Sequence, residues 1–204
     1  IGVATGFLPG LGQPAAEWRR AVALLRGAAA APGLVRTRGA TPADYTALAV
    51  HLPAIGSLTA AEIRELASST LVAEAPTGSI VVRTGEESDA GYFILSGRAV
   101  AGRDDASGLR PLETLNAGDF FGEIAALTGV PRTATIVAEE DTTLIQVPAA
   151  ALRRMSAKPE LNRLFLSKMT ERMVRMDMVD MPRSYGLANE TLLELRTPRD
   201  PVLV

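Results

Sequence analysis

The chain has 204 residues, 47% apolar and 22% charged, enough to bury a proper core in one domain with appendages. Basic and acidic side chains number 21 and 23, so the net charge is −2, which argues against a protein that coats nucleic acid; no nucleic-acid partner is expected. With no Cys and one His there can be no disulfide, no thiolate nucleophile and no Cys-based or His–His metal site.

A Ser-His-Asp triad would have to use His51, which sits among apolar residues in LAVHLPAI and reads as a packed or helix-end residue. The chain is therefore expected not to be an enzyme, and to need neither metal nor cofactor. Its longest charge-free stretches, Ile1–Ala16 and Tyr45–Ala61, are broken by Pro and Gly and fall short of the roughly 20 apolar residues a span requires. No basic n-region opens the sequence. A chain that starts at Ile1 reads as a piece of something larger, placed in the cytoplasm, where it could be the cytoplasmic part of a membrane protein.

Residues 1–50 read as a helical flank or linker. Pro14 suits a first helical turn, Trp18, Ala21, Val22 and Leu25 repeat at helical spacing, and Pro32-Gly33 ends the run. Its basic residues, Arg19, Arg20, Arg26, Arg36 and Arg38, suit a linker beside a larger protein or the solvated face of an ordinary amphipathic helix. A second helix is expected after Pro42. A third is expected from Thr59, where Thr59 and Glu62 make a capping box and Ile63 and Leu66 an inward face.

From Leu71 to Pro148 short β-branched runs follow at close intervals: LVAEA, SIVVR, YFILSG, AVAGR, TATIVAEE and TTLIQV. Turn residues and a polar DDASG tip separate them, which predicts a sandwich or barrel. Two helices follow, one opened by Pro148 through Met155 and one opened by Pro159 to about Asp180. A tail with a short helix near Asn189–Leu195 ends the chain. Residues 59–150 carry six basic and fourteen acidic side chains, against five and two before them and ten and seven after, so an acidic centre lies between basic flanks.

Phe121–Thr135, FGEIAALTGVPRTAT, departs from strand and turn chemistry. Gly122 lets the backbone turn tightly into a short helix, Glu123 to Thr128, whose first N–H groups favour an anion. Pro131 fixes the chain before Arg132, a fork of donors suited to phosphate and the one positive charge between Arg110 and Arg153. Taken singly, Glu123 and Arg132 read as a plain salt bridge; at this spacing, with strands on both sides, they read as an anion site.

This stretch resembles the phosphate-binding cassette of the cyclic nucleotide-binding domain family, F-G-E-[LI]-A-x-L, a variable loop, then P-R-[TSA]-A-[TS]. HLPAIGSLTAAEIRELA, residues 51–67, resembles the family's N-terminal helical segment, and Gly85-Glu86 with Tyr92–Gly97 its second and third strands; the likeness covers about residues 51–180. It implies an α+β fold, a β-roll or jelly-roll barrel of about eight short antiparallel strands, flanked by N-terminal helices and two C-terminal helices. The domain would occupy 51–181, with 1–50 as flank and 182–204 as tail. Arg132 would hold the exocyclic oxygens of a cyclic phosphate and Glu123 would accept from the ribose 2′-hydroxyl. The N–H groups of Ala125 and Thr133 would complete the cradle, with Gly122 and Ile124 shaping it and Ala134 beside it. Thr133 is compatible with cGMP or cAMP; cAMP is favoured slightly. Gly91 replaces a bulkier residue usual in the family and is expected to loosen the turn into its strand.

On the helix after Pro159, Leu161, Phe165, Met169, Met173 and Met176 form one apolar stripe. It reads as core or dimer packing, through which the chain could form a homo-oligomer. The resemblance also implies that this helix moves on binding, with Met173 and Met176 as a lid over the purine. The function expected is a regulatory module that binds cAMP or cGMP and passes a conformational change to a parent transporter, channel or enzyme. One alternative is a transcription regulator of the catabolite-activator type whose helix-turn-helix lies outside this chain, since the 23 residues after Met181 are too few to hold it. Another is an assembly domain with a vestigial pocket.

Overall fold

Alternating burial builds the centre of the chain from strands too short to stand alone. The computed structural model describes residues 33–105 and 108–184, with side chains over 33–103 and 111–174. The expected helices around Pro14–Leu25 and Asn189–Leu195 lie outside the described residues. The strands are β1 (Val35–Gly39), β2 (Leu71–Ala75), β3 (Ile80–Val82), β4 (Ala90–Ser96), β5 (Arg98–Asp105), β6 (Gly108–Asn116), β7 (Phe120–Phe121), β8 (Thr135–Ala138) and β9 (Thr142–Pro148). The α-helices are α1 (Pro42–His51), α2 (Ala60–Ser68), α3 (Glu123–Thr128), α4 (Ala149–Met155) and α5 (Pro159–Ser184), with a 3-10 turn at Pro53–Ser57.

Two antiparallel sheets result, ordered β1-β2-β9-β4-β7 and β3-β8-β5-β6. They do not close into the expected barrel. Two edges, β3 with three residues and β7 with two, are too short to carry a closing ladder. A third edge, β6, contains Pro111, which has no N–H to donate.

Between the sheets, Tyr92, Ile94, Phe121 and Leu144 meet Val82, Ala99, Ala101, Leu115, Ile136 and Ala138. Each large side chain buried this way stabilises the fold by about 1.5–3 kcal/mol. Successive residues of a strand point to opposite faces, so Phe93 turns away from this core to Phe120, with ring centroids 5.6 Å apart.

Both early helices start where capping chemistry places them. The backbone N–H of Thr41 donates to Asp44 Oδ2 (2.7 Å) and that of Thr59 to Glu62 Oε2 (2.8 Å). The stretch read as a flank also supplies β1, which pairs with β2, and Arg38 grips Asp44 with both terminal nitrogens (2.8 and 2.6 Å). His51 ends α1 and is exposed, as a helix-end residue.

Gly91 does not loosen β4. The strand runs through it, paired with Val147, and the missing side chain makes room for α4: a Cβ there would lie 2.8 Å from Leu152 Cδ1. The chain divides into two compact units, Ile1–Asn162 and Arg163–Val204, with the boundary inside α5. Among the described residues no helix is long and apolar enough to cross a membrane.

Candidate anion-binding site

Gly122 stands in the left-handed region (φ 77°) between β7 and α3. That conformation turns the chain from a buried strand directly into a helix, and only glycine adopts it at little cost. The amides of the first turn of α3, those of Ile124 and Ala125 among them, have no acceptor within the helix. Gly129 (φ 77°) ends α3 the same way, and Arg132 follows on the segment leading to β8.

Arg132 is only 3% exposed. Its Nη1 donates to Gly122 O (3.0 Å) and its Nη2 to Ser88 Oγ (2.7 Å). The guanidinium carbon lies 5.7 Å from the centre of the Tyr92 ring, which itself stacks on Phe121 at 5.1 Å. Nε is buried with no hydrogen-bond partner. A buried donor left so costs stability, and a bound anion would satisfy it. A Cβ at Gly122 would collide with Arg132 Nη1, so the glycine is required by the arginine as well as by the turn.

The backbone of Arg132 is fixed too. Its N–H donates to Glu86 O (2.8 Å), and its carbonyl accepts from the N–H of Gly85 (2.8 Å). Three residues further on, Thr135 Oγ1 accepts from the N–H of Thr84 (3.0 Å). The β3–β4 loop is thereby laid along the cassette.

Burial pushes the Arg132 pKa below the usual arginine value, while Tyr92, Glu86, Glu123 and Asp89 pull it upward. Arginine stays protonated through such shifts, so the site holds a fixed positive charge.

Glu123, 2% exposed, opens α3, followed by buried Ile124 and Ala125. Thr133 is half-buried, and Ala134 packs against the inter-sheet core. The structure thus brings Gly122, Glu123, Ile124, Ala125, Arg132, Thr133 and Ala134 into one turn-helix-loop unit. It leaves Met173 49% exposed, while the side chain of Met176 falls outside the described residues.

Ser88 and Tyr92 complete the surroundings of Arg132 although the motif does not name them. The signal that points to them is the run Gly85-Glu86 to Tyr92, which resembles the family without containing the cassette. Among the described residues no group of His, Asp and Glu could hold a metal ion.

Residues 72–158 match the family model described as Cyclic nucleotide-binding domain. The chain is 32% identical over 111 residues to a cAMP-dependent protein kinase regulatory subunit of Aspergillus fumigatus, covering 54% of this chain and 26% of that protein. It is 32% identical over 115 residues to a cyclic nucleotide-gated potassium channel of Rhizobium etli, covering 56% and 31%. It therefore spans about a quarter to a third of the length of these relatives. A solved cyclic nucleotide-binding domain of Methylobacillus flagellatus shares the fold, with a TM-score of 0.57, 23% identity, and coverage of 76% of this chain and 91% of that one. Residues 72–158, which hold β3 to β9 and the cassette, thus match the model of the cyclic nucleotide-binding domain family, and the fold is that of a solved domain of the same description.

Proposed function

We propose that residues 51–181 bind a 3′,5′-cyclic nucleotide, cAMP ahead of cGMP, and act as a non-catalytic regulatory module of a larger protein, with 1–50 as flank and 182–204 as tail. The observation that carries this reading is Arg132: a buried guanidinium with an unpartnered Nε, at the open first turn of α3. A cyclic phosphate is a compact monoanion, and it supplies the acceptors that the site lacks. Glu123, at the start of the same helix, would accept from the ribose 2′-hydroxyl. The relatives' names, a cAMP-dependent kinase regulatory subunit and a cyclic nucleotide-gated channel, point to the same ligand and to a parent that is an enzyme, channel or transporter. The ligand is the only small molecule the module requires. The spacing of Met173 and Met176 on α5, and the adaptability of methionine to flat rings, support them as purine contacts in the liganded state. A homo-oligomer through α5 stands on the same stripe.

Titration calorimetry with cAMP, cGMP and 5′-AMP tests the reading. Micromolar or tighter binding of a cyclic nucleotide, with AMP much weaker, is expected. Equal binding of all three, or none, overturns it.

A further inference from the structure

The β3–β4 loop reads Arg83-Thr-Gly-Glu-Glu-Ser-Asp89, one base and three acids, and it runs beside Arg132. Besides the Thr84 bond to Thr135, four hydrogen bonds hold it there. Arg132 is bonded through its backbone to Gly85 and Glu86 and through Nη2 to Ser88, and the carbonyl of Asp89 accepts from the N–H of Ala149 (2.5 Å). The Glu86 carboxylate is itself held, accepting from the N–H of Arg83 (3.0 Å). Glu86, Glu87 and Asp89 are exposed while the Arg132 guanidinium, which feels the charges of Glu86 and Asp89, is buried, so the rim of the site is acidic and its floor basic.

The remaining charges around the site leave that rim net acidic. Glu123 on α3 adds a fourth carboxylate and Tyr92 on β4 a neutral phenol. On α4, Arg153 is exposed and Arg154 is engaged 3.5 Å from Glu65. Arg83, at the root of the loop, is exposed.

We propose that Glu86, Glu87 and Asp89 set the charge selectivity of this site, admitting a singly charged phosphodiester and rejecting a doubly charged phosphomonoester. The proposal rests on the cyclic-nucleotide reading above. Arg132 neutralises one ligand charge. A linear monophosphate carries up to one more at neutral pH, and the net acidic loop beside Arg132 opposes that charge.

Coulombic repulsion is proportional to ligand charge. Any gain from removing a carboxylate is therefore squared for a dianion relative to a monoanion. At roughly 9 Å in water-like surroundings one carboxylate changes the affinity of a monoanion about twofold. Neutralising two should raise cAMP affinity about fourfold and AMP affinity about sixteenfold, and salt should screen both gains.

The test is displacement titration of the full chain and of its Glu86→Gln/Asp89→Asn and Glu87→Gln variants at low and high salt. The ligands are cAMP, 5′-AMP and the monomethyl ester of 5′-AMP, a linear monoanion. The expected result is an AMP gain that is the square of the cAMP gain, a methyl ester that follows cAMP, and loss of both gains at high salt. Equal gains for AMP and cAMP, or no change in either, overturn the proposal. So does a methyl ester that follows AMP, because ring shape would then be what is selected. A parent chain that binds no cyclic nucleotide overturns the functional reading itself, and that outcome is distinct from all the others.

Discussion

Replacing Arg132 by Ala removes two charge-assisted donors, to Gly122 O and Ser88 Oγ, and the one cation at the floor of the site. With a cyclic phosphate bound, the loss is that of a desolvated charge pair, about 2–5 kcal/mol. That corresponds to about 30-fold to several-thousandfold in Kd. The folded state should suffer less. Gly122 O and Ser88 Oγ lose a partner, but a buried cation with an unsatisfied Nε disappears with them. The melting temperature should therefore move only slightly, while calorimetric affinity for cAMP collapses. Arg132→Lys should recover part of the affinity, because a point charge replaces a two-pronged donor. If Arg132→Ala binds cAMP like the parent chain, the site is wrongly placed, and neither the orphaned Nε nor the left-handed turn at Gly122 bears on function.

Three further outcomes are expected. Glu123→Ala should erase the preference for cAMP over its 2′-deoxy analogue while leaving phosphate-dependent binding measurable by calorimetry. Glu62 is held down to about 2 by Lys158, 2.8 Å away, and by its capping bonds to Thr59. A carboxyl whose folded pKa is depressed stabilises above its unfolded pKa of about 4.3 and loses that contribution as pH falls towards the folded value. Thermal melts of the parent and Glu62→Gln should accordingly differ at pH 7 and converge near pH 2; a constant gap would refute the linkage. Hydrogen exchange should show nucleotide-dependent protection at residues 121–135 and again at 172–180, and protection confined to the first stretch would remove Met173 and Met176 from the site.

The cassette was legible because its parts are contiguous: a glycine forced to positive φ, a helix and an arginine, all within fifteen residues, need no long-range information. Strands β2 to β5, β8 and β9 were legible because β-branched residues mark them. Three strands were not. In β1, VRTRG, only Val35 is even half-buried, so no alternation betrays it, and it is a strand because β2 offers it an edge. Pro111 disguises β6, and β7 is two phenylalanines long. The same limit hid the contact of Ser88 and Tyr92 with Arg132, made by pairings such as Tyr92 opposite Phe121 that no local pattern contains. Gly91 was misread for a related reason: its meaning lies in Leu152, some sixty residues later.

The stitching of Arg132 to Gly85 and Glu86 has a consequence for how such a site can be inherited or moved. Its recognisable part is a short linear word, yet its working part is divided between Gly85–Ser88 and an arginine about forty-five residues later, with β4 to β7 and α3 between them. Copying FGEIAALTGVPRTAT into another loop would carry over the arginine but neither the amide and carbonyl that clamp its backbone nor the hydroxyl that accepts from its Nη2. A cut between β5 and β6 would leave each half with an incomplete cradle, and only their reassociation would restore it. The site is a property of the tertiary fold that happens to have a linear signature, which makes it easy to find and hard to transplant.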